Sequence, residues 1–156
     1  MPESIHASAM SHVALCVRDL ERSLHFYRDV LGFQVTKDDV QDTSRGGLPH
    51  LYDTRHAQRR VVYLRYGGAQ SMPFLVLTEH LGETVSGTPI MLEQVGISHV
   101  SCTVPHVEAV TNRLLAQGAQ TCGPADAFRD AQGHLRTVFF HDPDGILVQF
   151  DEGGEG

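Results

Sequence analysis

The pattern of apolar and polar residues predicts one kind of strand twice, with nearly the same sequence. Residues 11–17 read SHVALCV, and residues 98–104 read SHVSCTV. Both runs are short, apolar and partly β-branched, as is typical of buried strands. His12 and His99 hold matching positions in them, 87 residues apart. The repeat predicts two copies of one supersecondary unit, related by a pseudo-twofold axis, with both histidines facing one shared cavity.

A helix is predicted after each of these strands. Behind the first strand, apolar residues recur at the three- and four-residue spacing of an amphipathic helix: Leu20, Leu24, Tyr27 and Leu31. Asp19 is a suitable N-cap for this helix, and Gly32 is a suitable residue to end it. The second helix is predicted over residues 106–117, with Gly118 as its stop.

Short strands complete both units. In the first unit they are predicted over residues 33–36, 60–66 and 73–78, with Gly67-Gly68 in the turn between the last two. In the second unit they are predicted near residues 119–122, 135–140 and 146–150. The run Asp142-Pro143-Asp144-Gly145 predicts a tight turn, since proline fixes φ and glycine supplies a positive φ. The element order is therefore βαβββ, twice, in an α+β chain.

These elements divide the chain into a first module at residues 10–78, a polar linker at 79–95 and a second module at 96–151. We treat all 156 residues as a single domain built from the two modules. Residues 38–59 are polar and too long for a plain hairpin, so they predict a loop insertion, which often covers a site. His50 and His56 lie in this insertion and are expected at its surface.

Composition narrows the classes of function. A net charge of −7 and the lack of a basic run argue against nucleic-acid binding. No apolar stretch is long enough for a membrane span, and the N-terminus lacks the features of a signal peptide. Cys16, Cys102 and Cys122 lack the spacing of a metal motif, and we interpret them as small buried apolar residues. A cytoplasmic location is expected.

Three motifs carry a resemblance to a known family: the run HVALCVRDLERSLHFYRDVLGF, the strand HVSCTV and the segment DPDGILVQF. They resemble the vicinal-oxygen-chelate superfamily, which includes glyoxalase I, extradiol dioxygenases, fosfomycin resistance enzymes, methylmalonyl-CoA epimerase and bleomycin-binding proteins. The resemblance covers residues 10–151. It implies that the two modules curl their sheets into a partly closed, barrel-like funnel. It also implies a homodimer.

In this superfamily the metal ligands come from the first and last strands of each unit. Carried over to this chain, the resemblance implies His12, His99 and Gln149 as metal ligands, with Gln149 standing where most metal-binding members have Glu. Val76 holds the fourth position and cannot bind a metal. Two imidazoles and an amide suit a divalent ion, which we expect to be Fe, Zn, Ni, Co or Mn. Because no ligand is charged, the ion would be held weakly unless an anionic substrate completes the site.

Several functions remain open at this stage. The resemblance implies a metal-assisted enzyme of the lyase, isomerase or dioxygenase type, acting on a small oxygen-bearing metabolite that chelates the ion through two oxygens. A lyase or isomerase is favoured among these. Glyoxalase I and extradiol dioxygenase are disfavoured, since both need a carboxylate where Gln149 stands. The non-enzymatic alternative is a metal-free protein of the bleomycin-resistance type that sequesters a small molecule. Tyr63 and Phe139 are candidate rings for stacking on a flat ligand.

No catalytic base is identified by spacing. The candidates are Glu79 and Asp151 near the ends of strands, and His50 and His56 in the insertion. Each would need a suitable pKa and a position within reach of the substrate proton.

Overall fold

A computed structural model describes residues 3–67 and 73–153 of the chain. It divides into two compact units, Met1–Ser86 and Gly87–Gly156. The boundary falls within residues 79–95, the polar segment between the two predicted modules.

The first unit holds one four-stranded sheet in the order β1-β4-β3-β2. Strands β1 and β4 are parallel, and the other two pairs are antiparallel. A β-bulge between Val35 and Lys37 shifts the register of β2. The strands are β1 His12–Cys16, β2 Gln34–Asp42, β3 Gln58–Arg65 and β4 Phe74–Glu79.

The second unit repeats this arrangement. Its sheet has the order β5-β8-β7-β6, again with a parallel first pair and two antiparallel pairs. Its strands are β5 His99–Thr103, β6 Gln120–Thr121, β7 Thr137–His141 and β8 Leu147–Asp151. The α+β class predicted from the sequence is therefore confirmed.

The predicted barrel-like closure is not found. In the part of the chain that the structure describes, β1 and β2 are the two edges of the first sheet, and β5 and β6 are the edges of the second. Neither sheet is closed into a barrel, because closure would need these edge strands to pair.

One helix packs on each sheet. Helix α1, Leu20–Leu24, continues as a π-helix over His25–Val30, and helix α2 spans Val107–Ala116. The side chain of Asp19 accepts hydrogen bonds from the backbone N–H groups of Glu21 and Arg22, which makes it the N-cap of α1. Gly32 ends this helical segment with a φ of 82°, a conformation that favours glycine. Both predicted boundaries of the first helix are thus confirmed.

Each core lies between a helix and one face of its sheet. In the first unit the largest fully buried side chains are Tyr27, Leu20, Leu24, Leu64, Leu77 and Val62. In the second they are Phe140, Phe150, Leu114, Val107 and Val138. The opposite face of the first sheet carries a smaller buried cluster, Val61, Phe74 and Val76, with Tyr63 packed against it.

The predicted insertion at residues 38–59 has different bounds in the structure. Strand β2 continues to Asp42 and β3 begins at Gln58, so the loop proper spans residues 43–57. It contains a short 3₁₀ helix, Leu48–Leu51. Buried Thr43 closes the base of the loop, since its N–H donates to the Ala57 carbonyl (3.0 Å) and its hydroxyl to the His56 carbonyl (2.6 Å).

Two predicted turns have different outcomes. The turn at residues 142–145 is confirmed: the N–H of Gly145 donates to the Asp142 carbonyl at 3.0 Å, with a φ of 91° at Gly145. The Asp142 carboxylate also accepts from the N–H groups of Asp144 and Ile146, each at 2.9 Å. Of the Gly67-Gly68 turn, Gly68 lies outside the described residues.

Among residues 3–67 and 73–153, no helix is both long and apolar enough to cross a bilayer.

The N-cap of α1 provides a test of the fold. Replacing Asp19 by Ala leaves the N–H groups of Glu21 and Arg22 without their acceptor, and we expect the free energy of unfolding to fall by about 1 kcal/mol. Asp19→Asn keeps an acceptor oxygen and should lose much less. Urea unfolding followed by circular dichroism measures both. Equal losses in the two variants would contradict the capping role.

Candidate functional site

The face of each sheet that points away from its helix carries the predicted site residues. Successive side chains on a strand point to opposite faces. On β1, Leu15 is buried, whereas His12, Ala14 and Cys16 are exposed on the other side. We call this side the open face of the first sheet. The open face of the second sheet is the one that carries His99 on β5.

His12 is held by two contacts on its open face. Its Nδ1 lies 3.0 Å from the hydroxyl oxygen of Ser11. Its ring lies against Phe74 of the neighbouring strand β4, with ring centroids 5.2 Å apart. The serine contact engages Nδ1, which leaves Nε2 as the ring nitrogen for a ligand.

His99 has matching surroundings in the second unit. Its Nδ1 lies 2.7 Å from the hydroxyl oxygen of Ser98, and its ring meets Phe139 edge-on at 5.1 Å. The side chain is half-buried, whereas His12 is exposed. Both histidines therefore have the preceding serine on Nδ1 and an aromatic ring at their side.

Strand pairing gives Gln149 and Val76 equivalent positions in the two sheets. Val76 pairs with Ala14 in the first sheet, and Gln149 pairs with Ser101 in the second. The amide nitrogen of Gln149 donates to the hydroxyl of Thr137 at 2.9 Å. Its amide oxygen is then the atom suited to accept a hydrogen bond or bind a cation.

Tyr63 and Phe139 are also equivalent, since Tyr63 pairs with Val76 and Phe139 with Gln149. Tyr63 is half-buried against Phe74 (4.9 Å between centroids), and the ammonium of Lys37 lies 5.0 Å above its ring. In the first unit, His12, Phe74 and Tyr63 thus form an aromatic row across three strands.

The predicted base candidates differ in their surroundings. Asp151 accepts hydrogen bonds from the hydroxyls of Ser101 (3.1 Å) and Thr103 (3.2 Å) on the open face of the second sheet. Glu79 pairs with Arg60, and it is out of phase with Val76. His50 is exposed in the loop, as expected.

A cavity of about 500 Å³ lies in the first unit, between the open face and the loop of residues 43–57. This cavity was not predicted from the sequence. Its lining includes Ala14, Cys16, Thr78 and His80 from the sheet side, and Tyr52 and His56 from the loop. Residues of the loop therefore line this cavity, whereas the suggestion that the insertion covers a functional site stays a prediction.

His80 is at the centre of a polar cluster in this cavity. Its Nε2 lies 2.9 Å from the Tyr52 hydroxyl, and its Nδ1 lies 3.7 Å from the sulfur of Cys16. The ring centroids of His56 and His80 are 4.7 Å apart. Nδ1 of His56 is hydrogen-bonded to the Glu83 carboxylate, so His56 is not the plain surface residue that we expected. Burial, followed by the nearby charges of His56 and Arg59, lowers the pKa of His80.

The interpretation of all three cysteines as buried apolar residues is wrong for Cys16. Cys16 is exposed, and Cys102 and Cys122 are half-buried. Positions 12, 14 and 16 share one face of β1, so Cys16 lies on the same face as His12 and lines the cavity rather than the core. Cys102 lies on the other face of its strand, and burial raises the pKa of its thiol to about 11.

The resemblance implies a metal ion, and the chemistry of the predicted donors can be compared with what such an ion needs. Within residues 3–67 and 73–153, no group of three or more His, Cys, Asp or Glu side chains is arranged to hold an ion. The predicted donors differ from such a group. They are two imidazoles whose Nδ1 atoms contact serine hydroxyls, and the amide oxygen of Gln149, whose amide nitrogen donates to Thr137. These donors suit a divalent ion, and orientation of imidazole by a hydrogen bond at its other nitrogen is typical of metal ligands.

The lowered pKa of His80 predicts a change of stability with pH. The unfolded chain protonates this histidine near its ordinary pKa of 6.5, whereas the folded chain does so only at lower pH. The unfolded state therefore binds more protons below pH 6.5, and the free energy of unfolding should fall as pH drops from 7 towards 5. His80→Gln should flatten this part of the profile, measured by urea unfolding at each pH. An unchanged slope in the variant would contradict the assignment.

The sequence was compared with known families and proteins. The profile of the Glyoxalase/Bleomycin resistance protein/Dioxygenase superfamily matches residues 9–150. A probable lactoylglutathione lyase of Vibrio parahaemolyticus is 22% identical over 140 residues, which covers 88% of this chain and 86% of that protein.

Solved structures show the same fold. The trypanothione-dependent glyoxalase I of Leishmania major has a TM-score of 0.65 and 24% identity, covering 94% of this chain and 88% of that one. The fosfomycin resistance protein FosX of Listeria monocytogenes has a TM-score of 0.59 and 16% identity, covering 96% of this chain and 94% of that one. The family match extends over nearly the whole chain, and this protein belongs to the glyoxalase, bleomycin resistance protein and dioxygenase superfamily.

Proposed function

We propose that this protein is a metal-assisted enzyme of the lyase or isomerase type that acts on a small oxygen-bearing metabolite. The donors are the Nε2 atoms of His12 and His99 and the amide oxygen of Gln149. The divalent ion, when bound, would act as a Lewis acid on a carbonyl or enolate oxygen of the substrate.

The observation that supports this proposal most directly is the matched serine–histidine pair at the start of β1 and β5. If Nδ1–H donates to the serine hydroxyl, the lone pair of the imidazole is on Nε2 and available to a ligand. Serine also fixes the rotation of each ring. The same serine contact occurs at two equivalent positions, one in each unit.

Charge determines which substrates suit these donors. His12, His99 and Gln149 carry no negative charge when the imidazoles bind as neutral donors, so the protein does not offset a divalent cation at this site. An anionic substrate would supply the missing charge. We therefore expect a carboxylate, enolate or phenolate that binds through two oxygens, and we expect metal and substrate to strengthen each other's binding.

Aromatic residues on the open faces of the two sheets contribute to substrate binding in this proposal. Tyr63 and Phe139 occupy equivalent positions beside Val76 and Gln149, and each remains only partly buried. An apolar part of the substrate can lie against such rings while its oxygens face the donors. A homodimer is part of the proposal, and light scattering on the purified chain tests it.

The lyase assignment is supported by the likeness to a probable lactoylglutathione lyase. The reaction of this chain is not expected to be the same, because the resemblance to glyoxalase I requires carboxylates where Gln149 and Val76 stand. The same replacement of Glu by Gln149 argues against an extradiol dioxygenase, which uses two histidines and a carboxylate.

Metal binding tests the donor set without an activity assay. We expect about one Zn²⁺, Ni²⁺, Co²⁺, Fe²⁺ or Mn²⁺ per chain after incubation and desalting, measured by inductively coupled plasma mass spectrometry. The double variant His12→Ala/His99→Ala should lose the metal. His25→Ala, which removes an exposed histidine elsewhere, should keep it.

Substitutions at Gln149 sharpen this test. Gln149→Glu adds the missing negative charge and should tighten metal binding at least tenfold, whereas Gln149→Ala should weaken it by a similar factor. Isothermal titration with Zn²⁺ measures both. Equal affinities in all three proteins would contradict the role of Gln149, and a metal content unaffected by the double histidine variant would contradict the whole donor set.

A metal-free binding protein of the bleomycin-resistance type is the second candidate, favoured by the cavity of the first unit and by the row of His12, Phe74 and Tyr63. A ligand that binds the folded chain raises its melting temperature. In a thermal-shift screen of small aromatic and carboxylate compounds, this candidate predicts stabilisation that survives a chelator. The enzyme proposal predicts stabilisation that depends on added metal.

A further inference from the structure

A second group of reactive side chains lies in the cavity of the first unit, apart from the proposed metal ligands. Cys16 is exposed to this cavity, with its sulfur 3.7 Å from Nδ1 of His80. Nε2 of the same imidazole lies 2.9 Å from the hydroxyl of Tyr52. Three segments thus each contribute one member of a connected row: β1 the thiol, the residue directly after β4 the imidazole, and the loop of residues 43–57 the phenol.

We propose that Cys16 is the nucleophile of a covalent site for small electrophilic carbonyl compounds, with His80 as its base and Tyr52 as the residue that positions His80. A nucleophile next to a base that is itself oriented by a third group is the arrangement that activates cysteines and serines in enzymes. The site does not depend on the metal proposal, since it uses none of the same residues.

His80 suits the role of a base. It is buried, with only 7% of its surface exposed, and this burial contributes most to its lowered pKa. At neutral pH the imidazole is therefore uncharged and can accept the thiol proton at Nδ1. The Tyr52 oxygen can accept a hydrogen bond from Nε2–H, which keeps the ring in the tautomer that leaves Nδ1 free of a proton.

The charged and titratable groups around His80 come from several elements. His56 from the loop lies beside it with the two rings tilted, and His56 is hydrogen-bonded to Glu83. Arg59 at the start of β3 lines the same cavity. The Arg59 guanidinium donates to Gln41 at 2.8 Å. This positive charge lowers the pKa of His80 and favours negative charge that develops in the cavity during a reaction.

The electrophile must be small and must offer an oxygen to this polar lining. A cavity of about 500 Å³ accommodates a compound of metabolite size, and Thr78, Thr84 and Ser86 provide hydroxyls beside the apolar Leu48 and Leu51. We assign the class of α,β-unsaturated carbonyl compounds, because a thiolate adds readily to their β-carbon.

The addition needs no reagent beyond the thiol, the imidazole and the unsaturated carbonyl compound. The thiol proton of Cys16 passes to Nδ1 of His80, and the sulfur forms a bond to the β-carbon. The electrons of the carbon–carbon double bond move towards the carbonyl and form an enolate. The proton then returns from the imidazolium to the α-carbon, which leaves a thioether at Cys16 and a neutral His80.

The experiment measures how fast each cysteine reacts with acrylamide, a small α,β-unsaturated amide, by mass spectrometry of peptides at timed intervals. Cys16 in the folded chain should react at least tenfold faster than Cys16 in the same chain unfolded in urea. Accessibility alone predicts the opposite, since unfolding exposes every thiol. Cys102 and Cys122 are internal controls, and both should react faster after unfolding.

Two variants separate activation by His80 from a structural role. His80→Gln keeps a polar group near Tyr52 and has no basic nitrogen, so the folded rate at Cys16 should fall tenfold or more. In this variant the reaction rate at Cys16 should rise with pH around 8.5, as for an ordinary thiol. In the unmodified chain the rate should reach its plateau at lower pH. His134→Gln, an exposed site in the second unit, should change neither the rate nor the profile.

Circular dichroism checks that each variant folds. Tyr52→Phe removes the hydroxyl alone and should slow Cys16 several-fold, so it decides the question if His80→Gln is unfolded. The proposal is wrong if folded Cys16 reacts no faster than in urea. It is equally wrong if a folded His80→Gln variant keeps the rate and pH profile of the unmodified chain. If His80→Gln does not fold, an unchanged rate and pH profile in Tyr52→Phe contradicts the proposal in the same way.

Discussion

The parallel pairing of the first and last strands in each unit is the constraint on which the rest of the structure depends. It aligns His12 with Phe74 in the first sheet and His99 with Leu147 in the second. Because side chains alternate along a strand, this register determines which ones face the helix and which face the open side. A slip of one residue would bury both histidines in the core and expose the apolar residues that hold each unit together.

The elements that could be predicted from sequence are those with local signals. Asp19 and Gly32 bound the first helix through their own backbone and side-chain preferences, and the turn at residues 142–145 follows from its proline and glycine. The two similar strand motifs likewise predicted that His12 and His99 hold matching strand positions, and these residues begin β1 and β5. Local chemistry is sufficient in these cases because each residue acts on neighbours only a few positions away.

The features that could not be predicted depend on distant contacts. Strand β2 extends through residues 38–42, which are all exposed and, apart from Val40, all polar, so only pairing with β3 makes them a strand. Cys16 and His80 are 64 residues apart, and Tyr52 reaches His80 from a loop without periodicity. One signal was present and overlooked: Cys16 has the same parity as His12, and this places it on the open face.

The central claim is that His12 and His99 are matched donors whose Nδ1 atoms are held by serine and whose Nε2 atoms receive a ligand. Long-range ¹H–¹⁵N spectra of the imidazoles during a Zn²⁺ titration test it most directly, with His12→Gln and His99→Gln to assign the signals. The account predicts Nδ1–H tautomers for both residues and zinc-dependent shifts of both Nε2 signals. Unchanged signals from both residues, while other histidines respond, would contradict it.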